Sequence, residues 1–138
     1  MSTEALKYVK IRKVKSPSRA HSIDAGIDFY VPEDINVDVF NAKSLITGQY
    51  PSYEIDDNSN ITKFYLMPGQ SALIPSGIKL CVPEGYALVF TNKSGIASKK
   101  HLVVGASTVD CGYEGECHLN IHNIGTETVE VSAGDKIV

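Results

Sequence analysis

Pro68-Gly69-Gln70-Ser71-Ala72-Leu73-Ile74-Pro75-Ser76-Gly77-Ile78-Lys79-Leu80-Cys81-Val82-Pro83-Glu84-Gly85-Tyr86 is the stretch that decides the fold. Two apolar runs, 71–75 and 78–82, sit between Pro/Gly marks at 68–69, 75–77 and 83–85. Proline fixes φ and glycine supplies φ > 0, so each mark predicts a turn with a strand on either side. The rhythm extends outward in both directions. Before this stretch it predicts strands over 8–14, 27–31, 35–39 and 64–67. After it come 86–91, 102–104, 117–122, 128–131 and a last strand from Lys136 onward. No window keeps the i, i+3, i+4, i+7 apolar spacing of a sustained helix. Many short strands between turns predict an all-β, antiparallel sandwich, barrel or jelly roll.

The stretch 38–63 breaks that rhythm, mixing Asn, Ser, Tyr and Gly with the acids Glu54, Asp56 and Asp57. It reads as a long surface insertion between core strands, with a short helix near 42–46. Its tyrosines, Tyr50 and Tyr53, could form a docking surface, although long solvated loops cost little. At 138 residues the chain has room for one domain with a single core, 1–138. The strand that begins at Lys136 stops after three residues at a carboxylate that is costly to bury. The sequence therefore reads as cut short.

Composition excludes several classes. Hydrophobic residues are 43% and charged residues 21%, as in a globular chain. No apolar run approaches the roughly 20 residues of a membrane span. Residues 1–15 are basic and mixed, without the apolar core of a signal peptide, which places the chain in the cytoplasm, or the host cytoplasm for a viral gene. The net charge of −3 argues against nucleic acid as a partner. Lys7, Lys10, Arg12, Lys13 and Lys15 read as a solvated strand face, whereas Lys93, Lys99 and Lys100 stand among more suggestive neighbours. Cys81, Cys111 and Cys117, an odd count without a secretion signal, read as reduced thiols. Cys111, Cys117, His118 and His122 lack the C-x-x-C pair of a zinc site.

Three segments combine small residues with one carboxylate or hydroxyl beside a turn. Ala25-Gly26-Ile27-Asp28 enters a strand with an acid. Asn92-Lys93-Ser94-Gly95-Ile96-Ala97 offers backbone N–H groups, a hydroxyl and a cation together, which suits a phosphate chain. Gly105 to Gly115 sets Asp110 three residues before Tyr113 in a glycine-flanked hairpin, able to present an acid and a flat ring to a small planar ligand. Singly, each is an ordinary turn: a strand-capping Asp, a surface Lys-Ser-Gly, an Asp-x-Gly-Tyr hairpin.

In order, they are more specific. The chain resembles the trimeric dUTP pyrophosphatase (dUTPase) family, whose A-G-x-D motif matches 25–28 and whose P-R-S-G motif matches 92–97. The G-x-x-D-x-x-Y-x-G motif matches 104–115, and Asn-x-Gly with a later G-D-[RK]-I matches 123–137. The connecting Pro/Gly strands match as well, leaving only 38–63 outside the resemblance. Lys93 and Asn92 stand where the family has Arg and Pro, so the bidentate guanidinium fork is lost. The family's fifth, glycine-rich arm would lie past Val138; a protein that ended here is expected to lose most of its activity, and a sequence cut short before the arm is the favoured reading.

The resemblance implies a distorted jelly-roll (β-clip) subunit, a homotrimer with active sites shared between subunits, and hydrolysis of dUTP to dUMP and pyrophosphate. Asp110 would be the general base for water attacking the α-phosphorus. Tyr113 would pack under the deoxyribose and exclude a 2′-hydroxyl. Main-chain groups near Val104, Thr108, Val109 and His118 would read uracil, rejecting cytosine through unpaired groups. Lys93, Ser94 and the Gly95 amide would hold the phosphates. Mg²⁺ would ride on the triphosphate, with Asp28 reaching it through water. A dCTP deaminase of the same fold needs a glutamate in a T-L-E context, where this chain reads His118-Leu119-Asn120. A non-catalytic, nucleotide-binding regulator of the same fold is the third reading; Asp28, Ser94, Asp110 and Tyr113, all present, argue against it.

Overall fold

The computed structural model describes residues 6–138; the first five residues of the basic N-terminal segment lie outside it. Among the described residues, nine strands form three antiparallel sheets. The largest runs β1 (Lys7–Lys10), β4 (Ser71–Cys81), β8 (Glu116–Asn123) and β6 (Leu102–Val104), in that order. The second runs β2 (Ser52–Ile55), β3 (Ile61–Leu66) and β9 (Val129–Ser132). The third pairs β5 (Ala87–Val89) with β7 (Thr108–Asp110). This is the expected jelly-roll class.

Alternation on β8 explains how the core is filled. Cys117, Leu119, Ile121 and Asn123 point inward, while Glu116, His118, Asn120 and His122 form the other face. The inward row joins Ile74, Ile78 and Leu80 of β4, and Phe64, Leu66 and Val131 of the second sheet. Each fully buried side chain of this kind contributes roughly 1.5 to 3 kcal/mol.

The strands expected at 71–75 and 78–82 are one strand, β4. Pro75-Ser76-Gly77 is a bulge inside it, not a turn: pairing with β8 skips from Pro75↔His118 to Lys79↔Glu116. Gly77 sits at φ +75, and a Cβ there would come within 3.0 Å of Arg12 Cβ and Val14 Cγ1. Glycine is required twice over, by dihedral and by space.

Two further expectations are corrected. Ile35-Asn36-Val37-Asp38-Val39 alternates like a strand, yet Val37–Thr47 is a helix, α1. Asn36 decides this locally: its side chain accepts from the Asp38 N–H at 2.8 Å, an N-cap with an acid in the first turn. The helix expected at 42–46 lies inside α1. Nor is 38–63 only a surface excursion. Phe40 and Ile61 are buried, and Phe40 packs on Tyr53 and Phe64 at 5.4 and 5.3 Å. The strand expected at 27–31 survives as an extended segment bridged to the chain's last residues, Tyr30↔Lys136, with the Phe29 N–H donating to the Val138 carbonyl.

Candidate functional site

Asp28 is pinned before its carboxylate does anything. Its N–H donates to the Ser18 carbonyl at 2.7 Å, and Ser18 returns the bond at 3.2 Å. A cleft of about 300 Å³ opens around it, lined by 25–29, 88–93 and Val138. Phe29 and Phe90, buried and edge-to-face at 5.0 Å, make part of that lining apolar. Asp28 is itself only 8% exposed. Lys93 Nζ donates to Oδ1 at 2.6 Å, and Lys136 Nζ stands 3.5 Å from Oδ2. Burial alone would push this carboxyl up; the Lys93 hydrogen bond and the two ammonium charges outweigh it and hold the group below its ordinary range. Oδ2 remains buried without a hydrogen-bond partner.

Lys93 also borders a second cleft, of about 370 Å³, together with Ser94, Gly95, Lys99, Lys100 and Lys136. Ser94 opens a helical turn that continues as a π-turn, Ile96–Lys100, and stops at His101 in the left-handed region (φ 56). The Ile124 N–H donates to the His101 carbonyl, tying this loop to the segment after β8. The result is a cationic concavity with a hydroxyl and a turn of backbone, a fit for phosphate oxygens. Lys136 was missed from sequence. The G-D-[RK]-I pattern signals it, but nothing in the pattern says which carboxylate it approaches.

The acid and ring singled out beside it sit on the turn between β7 and β8. These two strands do not form the expected hairpin with each other, for β7 pairs with β5 and β8 with β4 and β6. Asp110 is exposed at the end of β7, opposite Ala87, and its carbonyl accepts from the Tyr113 N–H at 3.1 Å. The Tyr113 hydroxyl donates to the Glu116 carbonyl at 2.7 Å, laying the ring over Gly115. A Cβ on Gly115 would meet that hydroxyl at 2.7 Å. Asp110 lies outside the lining of the Asp28 cleft. One chain thus unites Asp28, Lys93, Ser94 and Gly95 but leaves Asp110 and Tyr113 outside the lining of both clefts.

The remaining expected residues surround that turn. Thr108 is exposed and Val109 buried, paired with Val89 and Leu88. Val104 closes β6, and its N–H already donates to Asn92 Oδ1 at 2.7 Å. His118 Nε2 is buried without a hydrogen-bond partner. Burial first, then the charge of Lys43 on α1, lowers its pKa and favours the neutral ring near pH 7.

Three polar side chains hold this region together. Glu116 accepts from Arg12 at 2.8 and 3.1 Å and from the Gly77 N–H at 2.7 Å, joining β8 to the β4 bulge. Arg12 is therefore a fastener, not part of a solvated face. Asn120 accepts from the Ala106 N–H and donates to the Ala72 carbonyl. Asn123, 1% exposed, donates to the Leu66 and Glu127 carbonyls and accepts from the Gly125 N–H. Among the described residues, no group of three or more His, Cys, Asp or Glu is arranged to hold a metal ion, and no helix is long and apolar enough to cross a membrane.

Comparison with known proteins bears on the family and the fold. The dUTPase family model matches residues 57–138. A deoxyuridine 5′-triphosphate nucleotidohydrolase from Mycolicibacterium vanbaalenii is 30% identical over 129 residues, 91% of this chain and 65% of that protein. Its counterpart from Chlamydia trachomatis serovar D is 40% identical over 85 residues, 59% of either chain. The chain thus spans about three fifths of the length of these curated relatives. Among solved structures, the dUTPase of Staphylococcus aureus phage phi11 superposes with a TM-score of 0.71 at 22% identity, over 97% of this chain and 86% of that one. The dUTPase of Staphylococcus bacteriophage 80alpha gives 0.71 at 22%, over 98% and 86%. With 82 of its 138 residues matched by the family model and its fold shared with the two phage proteins, the chain belongs to the dUTPase family.

Proposed function

We propose that this single-domain subunit hydrolyses dUTP to dUMP and pyrophosphate, with sites completed between the subunits of a homotrimer. The observation that carries this is the division of labour just described. A basic cleft suited to a polyphosphate includes Lys93, Ser94 and Gly95. An exposed acid and a half-exposed ring, suited to water and sugar, lie on a turn outside the adjoining cleft. A second copy supplying the missing half gives one complete site. Asp110, which pairs with no cation among the described residues, would take the proton from the attacking water. Tyr113, its hydroxyl tied to Glu116, would present only a ring face to the sugar. Thr108, Val109 and His118, with the Val104 carbonyl, would frame the base. The Val104 N–H is already committed to Asn92.

Mg²⁺ fits this donor set as a passenger on the triphosphate. The orphaned Oδ2 of Asp28 is a carboxylate oxygen that could accept from a metal-bound water, and one carboxylate alone does not make a metal cage. When bound, the ion would offset negative charge on the phosphates. A mutant form of the phage phi11 dUTPase coordinates a structural Mg(II) ion. Deamination of dCTP is disfavoured because the Asn120 amide is engaged at both ends and cannot shuttle a proton. Pyrophosphate release from a panel of dUTP, dCTP, dTTP and UTP tests the reading. Release confined to dUTP supports it; ammonia release from dCTP, or turnover of none, overturns it.

A further inference from the structure

We propose that Lys93 is a resident cation for Asp28 that exchanges onto the phosphates when a polyphosphate arrives, freeing Asp28 to face the incoming divalent ion. This rests on the nucleotide reading above. The ammonium of Lys93 lies 2.6 Å from Oδ1, while the side chain borders both clefts. Of the two partners, only the lysine is free to move. Asp28 is fixed by a reciprocal backbone bridge to Ser18 and by its neighbour's bond to Val138. Lys93 lies outside regular structure, on a four-carbon stem, with its side chain 27% exposed. Lys136 differs in its backbone, which is bridged to Tyr30, and its Nζ, 3.5 Å from Oδ2, is the counter-charge that remains when Lys93 moves.

The chemistry of the exchange follows. Without ligand, one acid and two ammonium groups leave the cluster with a single positive charge and no need of a metal. A di- or triphosphate group adds several negative charges in the basic cleft and draws Lys93 across. Asp28 is then left with Lys136 alone, its Oδ1 stripped of the Lys93 hydrogen bond and its Oδ2 still without one. A hydrated divalent cation relieves that deficit through its waters. Polyphosphate and metal therefore bind with positive coupling, and Lys93 transmits it.

Calorimetric titration of inorganic pyrophosphate in EDTA into the full chain, as a double-mutant cycle, tests this. Asp28→Asn is expected to tighten metal-free pyrophosphate binding about three- to tenfold, because Lys93 is already released. The same change in a Lys93→Met background is expected to give little or none of that gain. An equal gain in both backgrounds would reduce the pair to a through-space field and overturn the exchange. The exchange also fails if wild type and variants bind no pyrophosphate. If dUTP is still hydrolysed, only the exchange is lost; if hydrolysis is absent too, the functional reading falls with it. Should Asp28→Asn not fold, Lys93→Met alone decides, through Mn²⁺ binding followed by electron paramagnetic resonance without phosphate. Binding at least threefold tighter than wild type is expected, and no change overturns the proposal.

Discussion

Glu116→Gln removes a charge from the joint between the β4 bulge and the strand that follows the Asp110–Tyr113 turn. In the native chain one oxygen, Oε2, accepts both Arg12 Nε at 2.8 Å and the Gly77 N–H at 2.7 Å, and Oε1 accepts Arg12 Nη2 at 3.1 Å. A glutamine that keeps its oxygen at the Oε2 position retains two bonds, now to a neutral acceptor. The Gly77 bond, now neutral on both sides, falls from about 1.5–3 to about 0.5–1.5 kcal/mol, while the Arg12 Nε bond keeps the guanidinium charge. Its NH₂ group then faces Nη2, donor against donor, so the third bond is lost. The side chains are only 20% and 11% exposed, so solvent offsets little of this. The expected loss is about 2.5 to 4.5 kcal/mol, a fall in Tm on the order of 8–18 °C for a chain of this size. Urea denaturation followed by circular dichroism, at fixed protein concentration, measures it. The double variant Arg12→Met with Glu116→Met is expected to lose less, since no buried charge is left alone. A Glu116→Gln loss below about 0.5 kcal/mol would refute the argument that this node fastens β8 to the bulge.

Asp110→Asn is expected to abolish hydrolysis while pyrophosphate and nucleotide still bind; wild-type turnover in that variant would remove the proposed base. Gly115→Ala forces the Tyr113 ring off the turn and breaks its bond to Glu116, about 1 kcal/mol. Discrimination against UTP is expected to fall with it, and unchanged dUTP/UTP selectivity would separate the ring from the sugar. Acid sensitivity has a definite sign. Glu116 and Asp28 have ordinary values of 4.5 and 3.8 and are both lowered in the fold. Burial pushes both up, but the Arg12 and Gly77 bonds, and the Lys93 and Lys136 charges, more than offset it. Their stabilisation is present above those ordinary values and is lost as the pH falls through the lowered folded values. Urea midpoints taken from about pH 7 to about pH 3 should drop, and drop less in Glu116→Gln; parallel curves would exclude Glu116 as a source.

Much of this was legible in the chain because turn chemistry is local. The Pro/Gly marks placed the strands around 71–82, and Leu102–Val104 matches its expected span. What failed was also local, but read on the wrong scale. Alternation at 35–39 lost to a cap made by one side chain, Asn36. Pro75-Ser76-Gly77 has the residues of a turn, and only the partner strand reveals that they bulge within β4. The carboxylate of Asp28 was found by its motif, whereas its cage was not. Lys93 lies 65 positions away, a distance across which no periodicity carries information. The same holds for Arg12 and Glu116, 104 positions apart. Apolar residues in 38–63 looked like loop decoration because Phe40 meets Phe64 only in three dimensions.

Turnover of dUTP in ¹⁸O-labelled water, with mass analysis of both products, probes the chemistry most directly. A water deprotonated by Asp110 and delivered to the α-phosphorus puts one labelled oxygen into dUMP and none into pyrophosphate. Label in the pyrophosphate would place the attack on another phosphorus and contradict the role given to Asp110.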